Sequence, residues 1–282
     1  MTRQRNQRAA NPSPLARRSK FTNPQLSTNN QRPLPNQPPS TTIWLLRHGE
    51  IEKRYQNVFG GRIDMKLSAR GHRQAAALAH FLHGRRFDAF YASPMRRVQQ
   101  TLAPLLRNGL PQPVVLPELR EVDFGEWTGL GWDEVERKFG KSPFGWLDQL
   151  EQAGIPGSGS ARQFRARLQP VVRGWLARHR GQHVAVLCHG GVIRMVLAIL
   201  LDWPLPKMAA FEIEYASITQ VVVGPSRTRL HLVNFTPWRD GKVQSPRSKV
   251  RRPVSGLKSQ VSSLRSQVER PKAQGRRPLK SK

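Results

Sequence analysis

Between residues 41 and 236, short apolar runs alternate with longer stretches in which apolar positions recur every three or four residues. The short runs, at 42–46, 87–92, 113–116, 183–188, 216–223 and 229–234, have the length and composition of strands. The periodic stretches, at 68–83, 94–107, 132–139, 161–180 and 191–201, predict helices. The first of these opens on Ser68, a good N-cap, and carries Ala75, Leu78, Ala79 and Leu82 on one face. The stretch after Gly191 is apolar nearly all round (Val192, Ile193, Met195, Val196, Leu197, Ile199, Leu200), so it predicts a buried helix. Such alternation predicts an α/β fold, a three-layer α/β/α sandwich with a largely parallel central sheet. Gly224-Pro225-Ser226 between the last two runs predicts a closing hairpin at the sheet edge.

Charge changes the picture only at the ends. The formal net charge of +29 suggests a nucleic-acid binder until it is mapped along the chain. Residues 1–40 hold seven basic residues and no acid; residues 241–282 hold thirteen basic residues and one acid, Glu269. The first forty residues, rich in Pro, Asn, Gln, Ser and Arg, cannot bury enough apolar surface to offset the entropy of ordering. The last forty are similar, although Val254, Leu257, Val261, Leu264 and Val268 keep a weak heptad-like spacing that is a candidate short amphipathic helix. The expected organisation is a disordered basic tail over 1–40, one domain over 41–238 and a second disordered basic tail over 239–282. The tails are read as solvated extensions, with non-specific contact to nucleic acid or anionic lipid through counterion release as the alternative. A lone cysteine, Cys188, excludes an intrachain disulfide and suits a reducing compartment. No stretch approaches the roughly 20 apolar residues of a membrane span. The N-terminus has no apolar secretion core, and its seven prolines argue against an amphipathic transit helix. The expected location is cytoplasmic.

Two strand ends carry the most informative chemistry. Ile43-Trp44-Leu45-Leu46 runs into Arg47-His48-Gly49, and Val184-Ala185-Val186-Leu187 runs into Cys188-His189-Gly190-Gly191. Residues just beyond the carboxyl ends of parallel strands line the ligand crevice of α/β sheets, and glycine lets a ligand approach the backbone. Two histidines and an arginine there suit attack on a phosphoryl group. His189 also precedes a helix, whose first N–H groups favour an anion. A third element, Ser93-Pro94-Met95-Arg96-Arg97, follows a strand and opens a helix, so that one of its arginines can grip phosphate with a planar fork. A fourth, 119–129, is a loop with several carboxylates. Composition does not choose a proton donor among Glu118, Glu121, Asp123 and Glu126. Carboxylate clusters for metal, a Walker loop and a serine nucleophile elbow are missing from the sequence, which leaves metal-free covalent chemistry through histidine.

Five segments then carry a resemblance. Leu46-Arg-His-Gly-Glu50, Leu67-Ser-x-x-Gly71, Ser93-Pro-x-x-Arg97-x-x-x-Thr101, Leu119-Arg-Glu-x-x-Phe-Gly-x-Trp127-x-Gly129 and His189-Gly-Gly-Val192 stand in the order and spacing of the histidine phosphatase (phosphoglycerate-mutase-like) superfamily. Within it the chain most resembles the α-ribazole phosphatases of the cobalamin pathway and their broad-specificity relatives. The resemblance implies His48 as the phosphorylated nucleophile and Glu121 as the acid/base. It implies Arg47, Arg97 and His189 as holders of the phosphate oxygens, with Gly190 and Gly60 as further binding residues; Arg54, which departs from the family's Asn, either supplies a further cation to the phosphate or faces solvent. It implies no cofactor and no metal. The expected activity is that of a phosphomonoesterase acting on a small phosphate ester, α-ribazole 5′-phosphate being one candidate. A phosphoglycerate-type mutase and a non-catalytic phosphate or nucleic-acid binder are the alternatives. A small phosphate ester is the expected partner, with no membrane; a homodimer is compatible with the reading.

Three departures from the family pattern stand out. Ile51 and Arg54 occupy positions usually held by Thr and Asn, and Cys188 stands where Thr or Ser is common. The loop usually reading Pro-Gly-Gly-Glu-Ser is Pro156-Gly-Ser-Gly-Ser160, without its Glu, so that a binding or loop-ordering contact is altered.

Overall fold

The computed structural model describes residues 39–239, so the basic ends and the heptad-like run at 254–268 lie outside the described residues. Six strands form one mixed sheet, β1 (Thr41–Arg47), β2 (Ala89–Ala92), β3 (Val114–Val115), β4 (His183–Cys188), β5 (Ile218–Val223) and β6 (Thr228–Phe235), in the order β3-β2-β4-β1-β5-β6. The first four strands in that order run parallel; β5 and β6 add antiparallel at the β1 side. This is the expected largely parallel sheet with its closing hairpin. The hairpin turn closes by Gly224 N–H donating to Arg227 O at 3.0 Å. The last strand pair begins later than expected, because Ala216 takes a positive φ of 51° and ends the extended run before Ile218.

The helices divide between the two faces, as the alternation of β1 requires. Trp44 and Leu46 face α1 (Ala69–Leu82) and α2 (Arg96–Arg107), packing with Leu78, Leu82, Val98, Leu102 and Leu105. Ile43 and Leu45 face the opposite layer, packing with Phe164, Leu168, Val172 and Trp175 of a long helix at Ala161–Arg178 and with the helix Gly190–Leu201. The latter is buried from Gly190 to Ile193 and again from Met195 to Ala198, as its all-round apolar character predicts; Arg194 interrupts the run. Two further helices, α3 (Trp132–Phe139) and α4 (Trp146–Glu151), belong to the connection before the long helix, which becomes α5, with Gly190–Leu201 as α6. The sequence pattern predicts α3 but not α4: six residues are too short for a helical period to be seen.

The topology brings strand ends together. Arg47 and Cys188 are register partners on the neighbouring parallel strands β1 and β4, and His48 N–H donates to Cys188 O at 3.1 Å. His48 and His189 therefore leave the sheet side by side. On the other flank of β4, Ser93 N–H donates to Leu187 O at 3.1 Å, which sets the start of the β2–α2 turn beside them.

Candidate active site

Arg97 is the centre of the cluster. It is buried, whereas Arg96 on the adjoining position is half exposed and faces Asp64. Its Nη2 donates to Gly61 O at 2.9 Å and its Nη1 to Ile63 O at 3.0 Å, which fixes the plane of the guanidinium. Its Nε–H is shared between His48 Nε2 and His189 Nδ1, both at 3.2 Å. Both ring nitrogens act as acceptors there, and the remaining contacts assign the tautomers. His48 Nδ1–H donates to Gly49 O at 2.8 Å, and His189 Nε2–H donates to Ser93 Oγ at 2.8 Å. The lone pair of His48 thus resides on Nε2, on the atom that faces the cluster.

Electrostatics holds both rings in this neutral form. Burial, then the charges of Arg97 and Arg47, pushes the pKa of His48 well below its ordinary value; burial, Arg97 and His48 do the same to His189. Arg97 itself is lowered to about 10, chiefly by burial, and so stays cationic at neutral pH. A consequence for stability follows from proton binding. The unfolded chain protonates these histidines below about pH 6.5, while the native chain resists until lower pH. Their contribution is fully present above pH 6.5 and is lost as pH falls. We predict an acid-side loss of up to about 1.4 kcal/mol per pH unit for each histidine. Urea melts from pH 7 to 5 on the wild type and His48→Ala would measure it, and equal slopes for the two proteins would refute the assignment.

Glu121 reaches the same place from the loop after β3. Its Oε2 accepts from Gly191 N–H at 3.1 Å, in the first turn of α6, and its Oε1 accepts from Val122 N–H at 2.9 Å. Glycine is required at 191: a Cβ there would lie 2.5 Å from Glu121 Oε1. Arg47 donates to Ile213 O and stacks on the Tyr215 ring, 4.0 Å from its centroid. The turn that carries His48 is held by Ser68 and Gln74 from the start of α1 and by Thr101 of α2. Gly49 N–H donates to Thr101 Oγ1, Glu50 N–H to Gln74 Oε1, and Ser68 Oγ to Glu50 Oε1. Gly71 packs so closely beneath that a Cβ would meet Glu50 O at 2.0 Å.

Arg47, His48, Gly60, Arg97, Glu121 and Gly190 all line one cleft of about 380 Å³. His189 stands behind it, fully buried, against His48 and Arg97. Arg54 is the exception. Its side chain is exposed, lies over the Tyr55 ring and pairs with Glu52 at 3.4 Å, outside the cleft lining. Of the two readings of Arg54, a further cation for the phosphate or a side chain facing solvent, the structure has the second. A short 3-10 turn at Lys53–Tyr55, of exposed and half-buried residues, turns it towards solvent.

The sequence reading missed two polar lining residues, Arg194 and Tyr215, and most of the apolar wall. Arg194 donates to Phe211 O at 3.0 Å and is lowered to about 10 by burial. It is the only charged residue in the helix Gly190–Leu201, one turn after Gly190, and that isolation was a usable signal. Phe59, Phe124, Trp132, Phe144 and Trp146 form the opposite wall, with Trp132 and Phe144 edge-to-face at 5.2 Å and both exposed at the mouth. They come from separate loops and helices, and no local pattern joins them.

A nucleophilic imidazole nitrogen, guanidinium groups and helix N–H groups thus meet a carboxylate across one cleft. This set can accept a phosphoryl group on nitrogen and move a proton at oxygen.

Residues 43–236 match the description of the histidine phosphatase superfamily (branch 1). An adenosylcobalamin/alpha-ribazole phosphatase of Escherichia coli (strain K12) is 26% identical over 193 residues, 68% of this chain and 95% of that protein. A 2,3-bisphosphoglycerate-dependent phosphoglycerate mutase of Bartonella henselae is 30% identical over 166 residues, 56% of this chain and 81% of that protein. Among solved structures, a mycobacterial glucosyl-3-phosphoglycerate phosphatase superposes with a TM-score of 0.61 at 28% identity, covering 70% of this chain and 99% of that one.

Proposed function

Because the chain belongs to the histidine phosphatase superfamily (branch 1) and is a phosphatase of that family, we propose that it hydrolyses small phosphate monoesters through a phosphohistidine formed on His48. One observation carries the mechanism: a neutral, buried His48, its lone pair on Nε2 and accepting from Arg97, lines a cleft that also holds Arg47 and Glu121. In the first step Nε2 attacks phosphorus in line with the ester oxygen, the P–O bond to the leaving group breaks, and the Glu121 carboxyl proton passes to the departing oxygen. The ring then carries its positive charge beside Gly49 O, which accepts from Nδ1–H. In the second step water attacks the phosphorus, the P–N bond breaks, and Glu121 takes the proton of that water. Arg47 and Arg97, with the positive end of the α6 dipole, neutralise the charge of the transferring oxygens, and no step of this scheme draws on a metal.

The cleft also supports a reading of the leaving group. Its wall of Phe59, Phe124, Trp132, Phe144 and Trp146 offers flat apolar surface beside the phosphate-handling groups. That favours an ester with a planar, apolar leaving portion, a description that α-ribazole 5′-phosphate meets. The test is phosphate release from a panel in EDTA, containing α-ribazole 5′-phosphate, 3-phosphoglycerate, a sugar phosphate and p-nitrophenyl phosphate. Chelator-resistant release with the highest kcat/KM on the aromatic riboside is expected. Preference for 3-phosphoglycerate would remove the leaving-group reading. Failure to release phosphate from any ester, with isomerisation primed by a bisphosphate, would replace the phosphatase by the mutase that the Bartonella relative suggests.

A further inference from the structure

A second cavity, of about 210 Å³, shares no lining residue with the cleft. Its walls include Arg62, Asp123, Gly159, Gln163, Phe164 and Arg167. Two cations meet one carboxylate there. Arg62 Nη1 pairs with Asp123 Oδ2 at 3.3 Å, near the surface. Arg167 forms no ion pair among the described residues. Its Nη2 donates to Arg120 O at 2.9 Å and to Glu121 O at 3.4 Å, while its guanidinium lies 4.8 Å from the Phe164 ring centroid. Its Nε is buried and has no hydrogen-bond partner among the described residues. The carboxylate of Glu121 is engaged elsewhere, by the N–H groups of Val122 and Gly191. Burial and then the neighbouring charge of Arg62 lower the pKa of Arg167, against the opposing pull of Glu121, Asp123 and Glu118.

A buried guanidinium N–H left unmet costs free energy, and two like charges at one cavity add to it. An anion between them relieves both. The planar fork of arginine matches a carboxylate, and Val122 and Phe164 give the cavity an apolar side suited to a short carbon chain. We propose that this cavity is a binding site for a small carboxylate anion, held between Arg62 and Arg167 beside Gly159. The site does not depend on the proposed catalytic reading. It lies between the loop whose carbonyls hold Arg97 and the loop that presents Glu121, because Arg62 stands between those carbonyls and Arg167 grips the carbonyls of residues 120 and 121.

The test is thermal unfolding of the full chain in sodium malonate against sodium chloride of equal ionic strength. Malonate well above its Kd should raise Tm by about 3 °C more than chloride, and the rise should saturate. Gly159→Glu places a tethered carboxylate in the cavity. The nearest atom to a Cβ there is Gln163 Oε1, at 3.2 Å, which accepts from Ser160 N–H at 2.9 Å, so the substitution needs that side chain to give by a few tenths of an ångström. That variant should start with a higher Tm and show no malonate-specific shift. Arg62→Gln, altered at an exposed side chain, should bind malonate at least about fivefold more weakly. A shift no larger than that of chloride overturns the proposal. So does a saturable shift of equal size in both variants, since malonate would then bind elsewhere. If Gly159→Glu does not fold, Arg62→Gln decides.

Discussion

Phosphate release should fall by about 10⁵-fold or more in His48→Ala, the size of loss seen when a covalent nucleophile is removed. No other side chain in the cleft can take over. His189 stands behind the cleft lining, fully buried, with its Nε2–H committed to Ser93, and Glu121 is tied to two backbone N–H groups. The variant should also fail to form the acid-labile, alkali-stable protein phosphate that a phosphohistidine gives on rapid quenching with labelled substrate. Folding should survive, because the turn around residue 48 is held by Thr101, Gln74 and Ser68 rather than by the imidazole. The cavity left by the ring has a cost, offset in part by relief of the ring's desolvation beside Arg97 and Arg47. Turnover within tenfold of wild type would place the nucleophile elsewhere. Retention of the acid-labile label in the variant would do the same.

The second large effect is expected from Glu121→Gln, and it depends on the leaving group. An alkyl phosphate needs a proton on its departing oxygen, so its kcat should drop by about 10²–10⁴-fold. The p-nitrophenyl ester leaves without that help. It should give a burst of nitrophenol followed by a slow steady state, with phosphoenzyme accumulating, because the same residue activates the water of the second step. The substitution keeps the shape of the side chain. One carbonyl oxygen can still accept from Gly191 or Val122, and the amide NH2 then faces the other N–H at a cost of about 1 kcal/mol. A small fall in Tm with the kinetic split described would separate a chemical role from a structural one. Equal losses on both esters would remove Glu121 from the acid/base role.

Both predictions rest on residues that the motifs pointed to, and local pattern made most of them legible. His48 and His189 follow uninterrupted apolar runs and precede glycines, so local pattern alone places them beyond parallel strands. The choice of Arg97 over Arg96 came from the spacing to Ser93. The structure gives the physical reason: helix α2 turns position 97 inward to the carbonyls of residues 61 and 63 and position 96 outward to Asp64. Arg54 shows the limit of the same reasoning. It stands three residues after Ile51 in the family spacing, yet the chain between them forms a 3-10 turn that directs its side chain to solvent and Glu52.

What the chain determined by itself is the layering and the reactive strand ends. The uninterrupted apolar run of β1 and the all-round apolar character of α6 are local properties, and hydrophobic burial leaves them one arrangement, a sheet between helices with glycine-flanked histidines at the carboxyl ends of its central strands. The tertiary structure alone decided the rest. It set the tautomer of His48, which depends on an arginine 49 residues away. It drew Glu121 rather than its neighbours to the first turn of α6, 70 residues on, where only glycine leaves room for the carboxylate. It assembled an aromatic wall from Phe59, Phe124, Trp132, Phe144 and Trp146, and it set Arg62 beside Arg167 across a separate cavity. These are contacts between residues far apart in the chain. Their energies come from burial, shape and charge at a meeting point that exists only once the sheet has brought the loops together.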